Sequence, residues 1–120
     1  MTGAASVQVF GVESDQATRA ALRFFKERRV PVSFVDLRKR PIAAGELRRF
    51  VERLGARAVA DTEGRAWRDA GLAYLSMDDA ELADRLLREQ RLLRLPLVRA
   101  GTALAAGRDE AAWRVIAQGR

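Results

Sequence analysis

Neither cysteine nor histidine occurs among the 120 residues. Without cysteine there are no disulfides, no thiolate nucleophile and no thiolate–metal site. Without histidine the commonest metal ligand and the commonest general base are missing as well. Ser-His-Asp and Cys-His catalysis are therefore impossible within these residues. A metal would have to be held by carboxylates alone, and the sequence contains no DxDxDG-type loop, so no metal and no cofactor are expected. Long apolar runs are also missing, which argues against a membrane-spanning helix. The start MTGAASVQVF has neither the basic segment nor the apolar run of a secretory signal. The expectation is a soluble, cytoplasmic protein.

Lysine is scarce. Of 22 basic residues only Lys26 and Lys39 are lysines and the rest are arginine; against 16 acidic residues the net charge is +6 and the pI about 11.1. A basic balance can serve an acidic partner or nucleic acid, but a GC-rich coding sequence produces the same arginine bias. Ordinary solvated surface is the first reading. The basic cluster RKRP (38–41) is short and has no interleaved aromatic residues, so direct nucleic-acid binding is not expected.

What is present suffices for one domain, 1–120, with 48% hydrophobic residues to fill a core. SVQVF (6–10) reads as a buried strand, and Asp15 is placed to cap the helix after it. Ala17, Ala20, Ala21, Phe24 and Phe25 recur at helical spacing, and Pro31 stops that helix. PVSFVDL (31–37) is a second strand. A helix with Leu47, Phe50, Val51 and Leu54 inward ends at Gly55. Residues 56–90 show no strand signal. There Ser76 is expected to cap a helix with Ala80, Ala83, Leu86 and Leu87 inward. After Pro96, LVRAG and TALAAG form a hairpin turning at Gly101, and Asp109 opens a last helix with Ala112, Val115 and Ile116 on one face.

A crossover helix between the first two strands makes them parallel. The order therefore predicts an α/β fold: a thioredoxin-like mixed four-stranded sheet flanked by helices, with a helical insertion (about 56–92) between the βαβ and ββα halves. Trp67 and Trp113 have apolar neighbours and are expected to pack in the core. Tyr74 and Ser76 have no base to activate them.

Four stretches in this order, FGVESDQATRAALRFFKERRVPVSFVDLRKRP, ELRRFVERLG, DTEGRAWRDAGL and LLRLPLVRAGTALAAGRDE, resemble the arsenate reductase (ArsC) and Spx family over roughly residues 6 to 117. The resemblance implies that the family's nucleophilic cysteine falls on Asp15 and the second cysteine of its redox-active members on Thr18. The arginine of the family's TRG segment falls on Glu63. The arginine before its proline falls on Leu95, with Arg94 one residue earlier. Pro96 and Arg108 are kept, and a cis Leu95–Pro96 bond is implied.

Arsenate reduction by the family's thiol mechanism is thereby excluded. Asp15 and Glu63 also put negative charge where an oxyanion would bind. Two like charges about 4 Å apart cost on the order of 4 kcal/mol at an effective dielectric of about 20, roughly a thousandfold against an anion. Asp15 is read as a structural cap. The function expected is a non-catalytic binding or regulatory module with a protein partner. RNA polymerase, which Spx-type relatives contact through its α subunit, is the partner class the resemblance implies. The alternative is an anion or small-molecule binder, or a cysteine-independent enzyme, using a remnant pocket of Asp15, Arg94, Pro96 and Arg108.

Overall fold

A computed structural model describes residues 6–119. In chain order the elements are β1 (Val7–Gly11), α1 (Gln16–Glu27), β2 (Val32–Asp36), α2 (Ala44–Leu54), α3 (Ala56–Val59), α4 (Arg65–Asp69), a 3-10 turn (Leu72–Tyr74), α5 (Asp79–Arg88), a second 3-10 turn (Gln90–Leu92), β3 (Leu97–Ala100), β4 (Ala103–Ala106) and α6 (Glu110–Gln118). They form two compact units. One comprises the residues up to Pro41 together with those from Leu95 onward; the other is Ile42–Arg94.

The first unit holds the sheet, in the order β2-β1-β3-β4. β1 runs parallel to β2, with Val7 opposite Val32 and Gly11 opposite Asp36. It runs antiparallel to β3, with Val9 opposite Val98, and β3 and β4 form the antiparallel hairpin. A parallel neighbour needs a crossover rather than a hairpin, and α1 is that crossover. This is the mixed, thioredoxin-like sheet that the element order predicts. The Leu95–Pro96 bond is cis, as the resemblance implies.

Side chains alternate across the sheet. Val7, Val9, Val98 and Ala105 share one face and are buried with Ala21, Phe24 and Phe25 of α1 and Trp113 and Ile116 of α6. Phe24 meets Phe25 edge-on at 5.2 Å and Trp113 edge-on at 5.6 Å. The Arg28 guanidinium lies 3.6 Å from the centre of the Phe24 ring, closing the outer side of this cluster with a cation–π contact.

Three local expectations are corrected. Ala80 was expected inward but is exposed; on α5 the core side is taken by Leu82 and Leu86, and Leu82 lies about 200° around the helix from Ala80. Val115 was expected inward but is 65% exposed. At about 100° per residue, it sits some 200° around α6 from Trp113, and the large indole takes the core side. Ser76 does not cap α5. Asp78 does, accepting from the Glu81 N–H at 2.8 Å while the Glu81 carboxylate accepts from the Asp78 N–H at 3.2 Å. That reciprocal pair is a capping box. Gly55 ends α2 at φ +90°, as expected for a residue there that tolerates positive φ.

In the second unit no strand forms among residues 56–90, in agreement with the sequence. An isolated antiparallel bridge joins Ala60 to Leu93, flanked by bonds from Asp61 N–H to the Leu92 carbonyl and from Arg94 N–H to the Val59 carbonyl, both 2.8 Å. The Gln90 amide fastens the start of the unit. Its oxygen accepts from the Ile42 N–H at 2.8 Å, and its nitrogen donates to the Ile42 carbonyl at 3.1 Å.

Trp113 is fully buried, yet its indole N–H has no hydrogen-bond partner. It contributes volume and ring contact, not a hydrogen bond. Trp113→Ala is expected to destabilise by about 3–5 kcal/mol. Trp113→Phe keeps a ring and loses no hydrogen bond, so it should cost only about 1–2 kcal/mol. Urea unfolding of the two variants measures the difference, and equal losses would contradict this account of the core.

Candidate functional site

The turn between β1 and α1 carries the positions at which the resemblance places reactive groups. Asp15 precedes α1 with extended backbone, φ −83° and ψ 126°. Its Oδ2 accepts the Thr18 backbone N–H at 2.8 Å and the Thr18 hydroxyl at 2.7 Å. The first bond satisfies one of the amides that a helix start leaves unpaired. The second satisfies the hydroxyl of Thr18, a residue with no solvent exposure. The two positions on which the resemblance places cysteines are thus joined by a carboxylate–hydroxyl bond.

This closure requires Gly11. A Cβ there would stand 2.8 Å from the Thr18 Cγ2 and 3.1 Å from its Cβ, inside van der Waals contact. β1 must therefore end in glycine for Thr18 to sit beneath the turn. The outer side of the turn is held by arginines. Arg38 donates to the Ser14 hydroxyl at 2.7 Å, and Arg19 donates to the Glu13 carbonyl at 2.9 Å. Beside it lies an open cleft of about 430 Å³ lined by Glu13, Phe34, Val35, Asp36, Lys39 and Arg40. Part of the RKRP cluster therefore faces carboxylates. The Arg38–Ser14 bond spans 24 residues, and no sequence pattern announces it.

The other candidate residues have local partners. Arg108 is exposed and reaches a single oxygen of Glu110, from Nε at 3.3 Å and from Nη2 at 3.1 Å. Pro96 lies at the start of the hairpin, and its carbonyl accepts from the Gly107 N–H at 2.9 Å, so Pro96 and the residue before Arg108 are neighbours. Arg94 belongs to the other unit, where its Nε donates to the Ala60 carbonyl at 3.3 Å. Glu63 is exposed in that same unit, and its carbonyl accepts from Arg68 at 2.7 Å. On the sheet, Arg99 donates to the Gln8 side chain directly across the β1–β3 pair. The sequence reading passed over this contact. Its signal was a charged residue in an otherwise apolar strand. Among the described residues no group of three or more carboxylates could hold a metal ion, and no helix is long and apolar enough to cross a membrane.

The family model described as the ArsC family matches residues 10–116. The chain belongs to the ArsC family. Among solved structures it is similar to a YffB protein (19% identity, TM-score 0.84, covering 92% of this chain and 98% of that one). It is also similar to an ArsC family related protein from Bacteroides fragilis (15% identity, TM-score 0.84, 95% and 99%) and to an arsenate reductase from Vibrio cholerae (18% identity, TM-score 0.80, 95% and 99%). At these identities the likeness is one of fold. No curated protein matches the chain in sequence. Within the ArsC family, this chain is a member without cysteine.

Gly11→Ala should destabilise the protein by about 1–3 kcal/mol through overpacking against Thr18. In a Thr18→Ala background the same substitution should cost less, by about 1 kcal/mol or more, because the Thr18 Cγ2 and hydroxyl are gone and only the contact with the Cβ at 3.1 Å remains. Chemical denaturation of the four proteins reads this out. An equal cost in both backgrounds would show that Gly11 is not there to admit Thr18.

Proposed function

We propose that this chain is a non-catalytic ArsC family member that works in the cytoplasm as a binding or regulatory module, through contacts with another protein. The observation that carries the reading is that the polar groups at the inherited site positions are already engaged. Asp15 is held by Thr18, Arg94 by the Ala60 carbonyl and Arg108 by Glu110. A helix start attracts anions because its free N–H groups point outward. Here the chain's own carboxylate takes that place, so a bound oxyanion would have to displace or repel Asp15. The absence of cysteine removes the nucleophile that thiol-based arsenate reduction requires. By resemblance to Spx-type relatives, the transcription machinery is the partner class to examine first.

A second reading, an anion or small-molecule binder, is favoured by one observation. The Arg108–Glu110 pair is about half exposed on both sides, and such pairs are worth about 0–1 kcal/mol. Arg108 can therefore be released to a ligand at little cost.

Affinity capture of the tagged chain from its native lysate, at about 0.15 M and about 0.5 M salt, separates the two readings. A single stoichiometric protein retained at both salts is the expected result. Loss of that protein at the higher salt would assign the contact to the arginine-rich surface, because exposed charge pairs are screened there. Absence of any partner at both salts would overturn the binding-module reading in favour of a ligand of Arg108.

A further inference from the structure

In the Ile42–Arg94 unit, α2 and α5 pack side by side with an open groove of about 290 Å³ between them. Positions 44, 47, 48 and 51 of α2 and positions 80, 83, 84 and 87 of α5 line it. Both helices thus present a stripe spaced i, i+3, i+4 and i+7, the spacing of a helix face that packs against another helix. Every lining residue is apolar except the third of each stripe, which is Arg48 on α2 and Asp84 on α5. Both are exposed. The ion pair of Asp84 within its own helix, with Arg88, is 3.8 Å long and largely exposed on both sides, so it holds Asp84 weakly.

We infer that the occupant of this groove is a second copy of the same chain, joined by a two-fold axis running along the groove. Such an axis lays α2 of one copy on α5 of the other. It places apolar stripe on apolar stripe, and Arg48 of each copy meets Asp84 of its partner near mid-stripe. The two charges have opposite sign and equivalent stripe positions, so the face is complementary to itself. An unrelated helix would have to carry a base and an acid at matching positions to do as well. α2 and α5 are about 16 Å and 15 Å long at 1.5 Å per residue. With each helix about 10 Å wide, the face covers on the order of 300 Å² per copy. That is below the roughly 800 Å² per partner of a standard interface, so the dimer is weak and reversible. The inference is independent of the reading under Proposed function.

Sedimentation velocity on the purified chain from about 10 μM to about 0.5 mM, in about 0.05 M salt, is the test. The wild type should move from monomer to dimer across that range. R48D and D84R, both at exposed positions and both checked for native circular dichroism, should each weaken association at least about tenfold, because each homodimer would face two like-charged pairs. An equimolar mixture of R48D and D84R rebuilds both pairs and should associate within about threefold of the wild type. A wild type that stays monomeric throughout overturns the inference and leaves the groove to a helix of another protein. Single variants that still dimerise normally, or a mixture no better than either alone, also overturn it.

Discussion

One carboxylate oxygen, Asp15 Oδ2, accepts both the backbone N–H and the hydroxyl of Thr18, and the arrangement of the β1–α1 turn depends on those two bonds. They fix where α1 begins. They bury a hydroxyl that would otherwise cost about 1–3 kcal/mol unsatisfied, and they require glycine at position 11. From that start α1 carries Ala21, Phe24 and Phe25 down onto Val7 and Val9. The crossover to β2 then sets the parallel half of the sheet. The turn, the helix and the core form one chain of dependence, and it begins at a residue that the resemblance aligns with a catalytic cysteine.

An aspartate where the resemblance places a cysteine differs in the electrostatics of the turn as well as in its chemistry. A thiolate at a helix start is stabilised by the same free amides and positive dipole end that favour any anion. A carboxylate placed there accepts from such an amide, as Asp15 does from the Thr18 N–H. The fold of the ArsC family is kept, the bond before Pro96 is cis, and Asp15, Arg94 and Arg108 make local contacts. A fold and an activity are separable because an activity rests on a few side chains set into a frame that other residues maintain.

The legible parts of the molecule were those written locally. The four strands, the crossover helix and the Asp15 cap each follow from residues within one or two turns of one another. So did the inward place of both tryptophans. The α5 cap was legible too, but only if two overlapping candidates were compared. Ser76 has Asp79 three residues on and Asp78 has Glu81, and it is the second pair, with the longer Glu side chain at the third position, that closes the capping box. Val115 departs from its apolar stripe because Trp113 takes the core side of α6. The contacts spanning long separations were not legible. Gln90 on Ile42 spans 48 residues, and Arg94 on the Ala60 carbonyl spans 34. Neither bond leaves a periodic or spacing signal. At the candidate site, resemblance supplied the positions, and the partners of Asp15, Arg94 and Arg108 are contacts that the sequence reading did not name beyond the Asp15 cap.

The most direct measurement is a double-mutant cycle on Asp15 and Thr18, using Asp15→Ala, Thr18→Val and the pair, with stability read from urea unfolding. If Asp15 is a structural cap bound to the Thr18 hydroxyl, the sum of the two single losses should exceed the loss in the double variant, with a coupling of about 1 kcal/mol or more. Losses that add to within about 0.5 kcal/mol would mean that the carboxylate and hydroxyl do not support one another, and the account of this turn would be wrong.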